Sequence, residues 1–307
     1  MAEKEFKGVI VPILTPINPD ETVDVASLRR LVNYLIDNGV HGIWAAGTTG
    51  EFAALTDRQK TVAIETVVDE VAGRVPVIGN VSGAATQASI DNAMAVREIG
   101  LDGIAVTPPY YYPNAQDELL DHYRYISDTI GSPLWVYNIP QTVKTAVDPG
   151  TVATLASEGY VVGIKDSSGA GELLAQLNVL CDQSNISLHR FLGTFFRTTS
   201  TAGVGAHGII PGLGNMIPKL MSEAWEAGEA GDHDKARKLM GKMMAVQKLA
   251  KLAKGGGANA ASFSAMKSAL KFMGILDHDN VTRPMRPLTD DEKKGIPPIL
   301  EELGLAK

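Results

Sequence analysis

Short apolar runs alternate with longer amphipathic stretches through the first two-thirds of the chain. Val9–Leu14, Gly42–Ala46, Val77–Val81, Gly103–Thr107, Leu134–Asn138, Val161–Lys165, Arg190–Gly193 and Gly208–Ile210 have the length and content of buried strands. Between them, Ala26–Asn38, Asp57–Ala72, Thr86–Ile99 and Gln116–Ile130 repeat apolar residues at helical spacing. Asp57 and Thr86 are the expected N-caps of two of these helices. Strands separated by helices of this length predict βαβ units and a parallel sheet.

A faint repeat sharpens the expectation. Gly39–Ile43, Gly100–Ile104 and Gly205–Ile209 all read G-x-x-G-I, the first glycine where a helix ends and the second where a strand begins. Repetition of one unit around a sheet predicts an α/β protein of the (β/α)8 TIM-barrel class. His41 and His207 fall in these turns, at the strand starts, and are expected to be structural. After Gly214 the pattern becomes wholly helical, over Ile217–Ala227, Asp232–Lys254, Ser262–Met273 and Thr289–Leu303. Thr289 to Glu292 reads as a capping start, and Lys254-Gly255-Gly256-Gly257 as a flexible break. The expected organisation is a barrel with the active site over 1–230 and a helical extension packed on it over 231–307. The extension reads as an appendage, with Lys235, Arg237, Lys238 and Lys242 on its solvated face and Leu239, Met243 and Val246 on its core stripe.

Composition narrows the function. The 307 residues are 45% hydrophobic, enough for a large core, and the net charge of −7 gives no support to a nucleic-acid or anionic-membrane partner. Cys181 is the single cysteine, so no internal disulfide forms and a reducing compartment is expected. It lies in the helical pattern Leu173–Asp182 and reads as packing. No apolar run approaches membrane-span length, and the charged start Met1–Glu5 lacks the apolar core of a signal peptide. A soluble cytoplasmic protein is the expectation.

In a parallel barrel the chemistry gathers at the C-terminal ends of the strands. Strand six ends in Gly163-Ile164-Lys165-Asp166, delivering one amine to the end of an apolar wall. Burial lowers a lysine's pKa, and a neutral amine forms Schiff bases with carbonyl compounds. A lysine at a strand end also fits a surface residue reaching for water. Strand two ends in Gly47-Thr48-Thr49-Gly50-Glu51, whose hydroxyls and amides suit a carboxylate and whose glycines allow close approach; an ordinary glycine-rich turn has the same composition. Strand four ends in Pro108-Pro109-Tyr110-Tyr111-Tyr112, rigid and aromatic, a cluster equally at home in packing or an interface. Tyr137 closes strand five, beside the strand that carries Lys165, where a phenol can shuttle protons.

Phosphate-loop, dinucleotide, zinc-protease and serine-hydrolase patterns do not occur. Gly212-Leu213-Gly214-Asn215 begins like a phosphate turn, a two-glycine match common by chance. A lysine, a tyrosine and a hydroxyl pair remain, which suit carbonyl chemistry with no metal and no organic cofactor.

G-T-T-G-E at 47–51, P-Y-Y at 109–111, Y-N-I-P at 137–140 and G-I-K-D at 163–166 together resemble the dihydrodipicolinate synthase / N-acetylneuraminate lyase family of Schiff-base barrels, across essentially the whole chain. The resemblance implies that Lys165 forms an imine with pyruvate or a 2-oxo acid. It implies that Tyr137 relays protons, with Thr48 linking it to Tyr111 donated by a neighbouring subunit. Thr49 and the Gly47–Gly50 loop match the pyruvate carboxylate site, and Ile210 matches a position lining the imine. A homotetramer, built as a dimer of dimers, is implied as well.

Two positions depart from the pattern. Thr142 stands where the synthases place an arginine for the second substrate's carboxylate, and nearby Lys144 lacks that residue's fork. Gly193 is followed by Thr194-Phe195-Phe196, where sialic acid lyases carry an acidic pair that reads sugar hydroxyls. The pyruvate half of the site therefore matches and the acceptor half differs. The implied activity is a pyruvate-dependent class I lyase acting on a 2-keto-3-deoxy acid, its partners being pyruvate or a 2-oxo acid plus an aldehyde. A synthase using aspartate semialdehyde, a keto-deoxy sugar acid dehydratase and a non-catalytic pyruvate-binding barrel are the alternatives.

Overall fold

The computed structural model describes residues 5–169 and 171–306. The charged opening residues 1–4 lie outside them. Eight strands run in parallel: β1 (Gly8–Pro12), β2 (Gly42–Ala45), β3 (Val77–Asn80), β4 (Gly103–Val106), β5 (Leu134–Asn138), β6 (Val161–Asp166), β7 (His189–Leu192) and β8 (Gly208–Ile209). Each pairs with the next and β8 pairs with β1, Gly8 opposite Gly208, so the sheet closes into the expected (β/α)8 barrel.

The period-2 alternation sorts the side chains into two cores. Val9, Val11, Ile43, Val136 and Ile164 face the surrounding helices. Ile10, Trp44, Ile78, Ala105, Trp135, Tyr137 and Phe191 fill the interior. Trp135 fits there because Gly103 and Gly163 leave room: a Cβ on either would come within 2.9 and 2.5 Å of the indole. Large rings set against glycines bring the interior to close packing. At the strand starts, His41 Nδ1 accepts from the Val9 amide at 3.2 Å and His207 Nδ1 from the Arg190 amide at 3.0 Å. Both histidines tie the lower rim together, as expected.

Several boundaries differ from expectation. Thr56, not Asp57, caps the helix Asp57–Val71, because Thr56 and Gln59 form a reciprocal capping box. Ala85 occupies the cap before Thr86–Val96, and the Thr86 hydroxyl instead lies 2.8 Å from His122 Nδ1. The helix expected over Asp232–Lys254 runs only His233–Met243, followed by tight turns at Met244–Lys248 and Ala250–Leu252. Its most deeply buried residues, Met243, Val246 and Leu249, each 1% exposed or less, recur every three positions, the period of a 3-10 turn. The Gly255–Gly257 break is braced, since the Arg286 guanidinium donates to the Gly255 carbonyl and pairs with Glu292. Thr289 and Glu292 form the expected capping box, but its helix stops at Lys293 and a separate one spans Ile296–Leu303. The helix Ala258–Phe272 starts four residues before the expected Ser262. Among the described residues, no helix is long and apolar enough to cross a membrane.

Candidate active site

Lys165 lies on the inward parity of β6, one residue past outward-facing Ile164 and in register with Tyr137 on β5 and Phe191 on β7. Its side chain is enclosed, with the residue 3% exposed. Nζ sits 4.1 Å from the centre of the Tyr137 ring and 4.9 Å from that of Trp44. Loss of water pulls its pKa below the ordinary lysine value, and the nearby Tyr137 phenol offsets only part of that. The aromatic faces soften the desolvation of any ammonium that remains.

Tyr137 is 2% exposed and its phenol lies 3.0 Å from Thr48 Oγ1, either group able to donate. Lys165, Tyr137 and Thr48 therefore form one contiguous run from the strand ends of β5 and β6 to the loop after β2. Tyr111 stands apart from this run within the chain: it is 82% exposed, edge-on to Tyr112, with a positive φ of 89°. A bulky residue in that region is strained.

The glycines of the 47–51 loop serve packing as well as any ligand. A Cβ on Gly47 would press on the Trp44 ring at 2.9 Å, and one on Gly50 would reach the Ile13 carbonyl at 3.0 Å. Thr49 is 9% exposed and faces Gly212 across a gap that no Cβ would fit. Ile210, 1% exposed, continues β8 into the inner core, its amide donating to the Leu192 carbonyl at 2.7 Å.

Two cavities border the threonine loop, one at Thr48 and one at Thr49. The first, about 290 Å³, is bounded by Thr48, Phe52, Tyr110, Thr142, Asn259, Phe263 and Met285. The second, about 260 Å³, is bounded by Thr49, Gly193, Thr194, Phe195, Ser262 and Phe263. Thr142 and Gly193 thus lie in different cavities, Phe263 bordering both. The Thr142 hydroxyl donates to the Ile139 carbonyl at 3.0 Å, and the Gly193 amide to the Asp166 carbonyl at 2.6 Å. Burial, with the Asp57 charge behind it, raises the Tyr110 pKa, so its phenol stays protonated.

Sequence reasoning missed Trp44 and the whole contribution of the Ala258–Phe272 helix, and named Tyr110 only within an aromatic cluster without a role. Trp44 was legible in principle, since alternation along β2 turns it inward. The helix corrects the reading of the C-terminal segment as an appendage. It brings Asn259, Ser262, Phe263 and Met266 to the two cavities. It also brings Lys267 into a fully buried ion pair with Glu51 of the threonine loop. Glu51 also accepts from the Thr282 amide and hydroxyl, both at 2.7 Å, and Lys267 Nζ donates to the Asn280 carbonyl at 2.8 Å.

The model of the Dihydrodipicolinate synthetase family matches residues 5–303. A 4-hydroxy-tetrahydrodipicolinate synthase of Geobacter metallireducens is 34% identical over 306 residues, covering 98% of this chain and 99% of the relative. Among solved structures, YagE of E. coli K12, a prophage protein of the dihydrodipicolinic acid synthase family in complex with pyruvate, is 25% identical with a TM-score of 0.89 and covers 98% of this chain and 99% of that one. A monomeric dihydrodipicolinate synthase variant is 28% identical with a TM-score of 0.87, covering 98% and 97%. This chain belongs to the dihydrodipicolinate synthetase family and is a lyase of that family.

Proposed function

We propose that Lys165 forms an imine with the keto carbon of pyruvate or another 2-oxo acid, and that the enzyme makes or breaks the C3–C4 bond of a 2-keto-3-deoxy acid through the resulting enamine. The observation that carries this reading is the Lys165 amine enclosed between Tyr137 and Trp44, with Tyr137 tied to Thr48. A desolvated lysine is the nucleophile such chemistry needs. Tyr137 is close enough to move protons to and from the carbinolamine and C3, and Thr48 positions its phenol. Thr49 and the amides of the Gly47–Gly50 loop supply neutral donors for the carboxylate. Tyr111, exposed and strained, is proposed to complete the relay from a second copy of the chain, which makes the working unit at least a dimer.

Exchange of the pyruvate methyl hydrogens in heavy water tests the enamine without any aldehyde. The enzyme is expected to speed exchange well above the uncatalysed background, and Lys165→Ala to return it to background. Exchange that persists in a folded Lys165→Ala protein would overturn the reading.

A further inference from the structure

We infer that the acceptor is an uncharged aldehyde with an apolar body, aromatic or branched aliphatic, so that the 2-oxo acid made or cleaved carries an apolar substituent at C4. This rests on the Lys165 imine proposed above and adds the substrate class. The first cavity begins at Thr48, the hydroxyl tied to Tyr137, and continues along Phe52, Phe263 and Met285. Among the described residues bordering either cavity, none is lysine, arginine, histidine or aspartate, and the sole charged side chain is Glu51. Its carboxylate is engaged by Lys267 and Thr282 and is fully enclosed, so it offers a ligand nothing.

That lining discriminates between acceptor classes. A second carboxylate, as in aspartate semialdehyde, would leave water with no cation to receive it, a loss that hydrogen bonds from Thr142 or Asn259 cannot offset. A polyol chain brings several hydroxyls, each of which is destabilising if buried without a partner. The cavity hydroxyls are few and that of Thr142 already donates to Ile139. An aryl or branched alkyl group instead gains contact with Phe52, Phe263 and Met285, and the volume of about 290 Å³ suits a small ligand of this kind. The aldehyde oxygen is the one polar atom such a molecule must place, and the hydroxyls of Thr48, itself tied to Tyr137, and of Tyr110 border the cavity.

The chemistry balances with water alone. Condensation of Lys165 with pyruvate releases one water, and loss of a C3 proton gives the enamine. Its electron pair, pushed from nitrogen, forms the C3–C4 bond to the aldehyde carbon, while the aldehyde oxygen takes a proton and becomes the C4 hydroxyl. Water then adds to the iminium and releases the 4-hydroxy-2-oxo acid and the free amine. Cleavage runs the same steps in reverse.

The test offers the wild-type enzyme pyruvate with benzaldehyde, isovaleraldehyde, D-glyceraldehyde or aspartate semialdehyde, alongside borohydride trapping of pyruvate. Benzaldehyde and isovaleraldehyde are expected to show kcat/KM at least about tenfold above the other two, the scale on which apolar pockets discriminate. A pyruvate adduct on Lys165 combined with preference for glyceraldehyde or aspartate semialdehyde would overturn the acceptor assignment and leave the imine standing. Absence of any adduct would sink both. Thr142→Arg adds a fork for a carboxylate, and is expected to move the ratio of aspartate semialdehyde to benzaldehyde upward by about tenfold or more. An unmoved ratio in a variant that still forms the adduct would show that the cavity beside Thr142 is not where the acceptor binds.

Discussion

Lys165 is held by opposing demands: enclosure against Trp44 and Tyr137 favours the free amine, while the Tyr137 phenol favours the ammonium. Enclosure dominates, so the folded pKa lies below the ordinary 10.5. The amine form is the one that attacks, and its fraction grows as pH rises through that lowered value. The rate of pyruvate adduct formation is therefore expected to reach half its plateau below pH 10.5. A rate still climbing at that pH, as for an exposed lysine, would contradict the enclosure. Tyr137 makes a second residue-level prediction. Tyr137→Phe keeps the ring under Nζ and removes the hydroxyl that meets Thr48, and should slow turnover by roughly 10²–10⁴, the contribution of a positioned acid–base. Turnover within twofold of wild type would remove Tyr137 from the proton relay.

At the level of elements, strands and helices were legible in unequal measure. Tyr137 and Lys165 stand next to last on successive strands, and alternation turns both inward, so their adjacency could be read from spacing alone. The choice of Thr56 over Asp57 as a cap was also legible, because Thr56 has Gln59 three residues on to complete a reciprocal capping box whereas Asp57 is followed there by Lys60. The cavity walls were not: Phe263 and Lys267 reach the threonine loop from a helix more than two hundred residues later, and local periodicity carries no information on such a meeting. The Glu51–Lys267 pair is the joint between that helix and the loop. Lys267→Met should lose about 3–5 kcal/mol in chemical denaturation, because it strands a buried carboxylate. Adding Glu51→Gln should recover part of that loss, since the partners act as a unit. Strictly additive losses would show that the two side chains stabilise the fold independently.

The whole molecule should weaken in acid through its half-buried and buried histidines. Burial, aided by the charges of Arg190, His189 and Lys7, lowers the His207 pKa to about 4, and burial lowers that of His122 to about 4. Their ordinary value is 6.5, so between 6.5 and about 4 the unfolded chain binds protons that the folded one refuses. Stability contributed by the neutral rings is thus complete above pH 6.5 and is lost as pH falls toward 4. His207→Gln should make the denaturation midpoint fall less steeply over that window, and an unchanged slope would remove His207 from the effect. The barrel itself was legible from the alternation of strands and helices and the G-x-x-G-I repeat. Its roof over the site was not, because the helix Ala258–Phe272 follows the barrel in sequence and returns to it in space.

The most direct test of the account is borohydride reduction of the enzyme with pyruvate, followed by intact mass and peptide mapping. A single pyruvyl adduct on Lys165, absent from Lys165→Ala, is the predicted result. An adduct carried by another lysine, or none in a folded protein under conditions that label a family member, would contradict the assignment of Lys165 as the nucleophile.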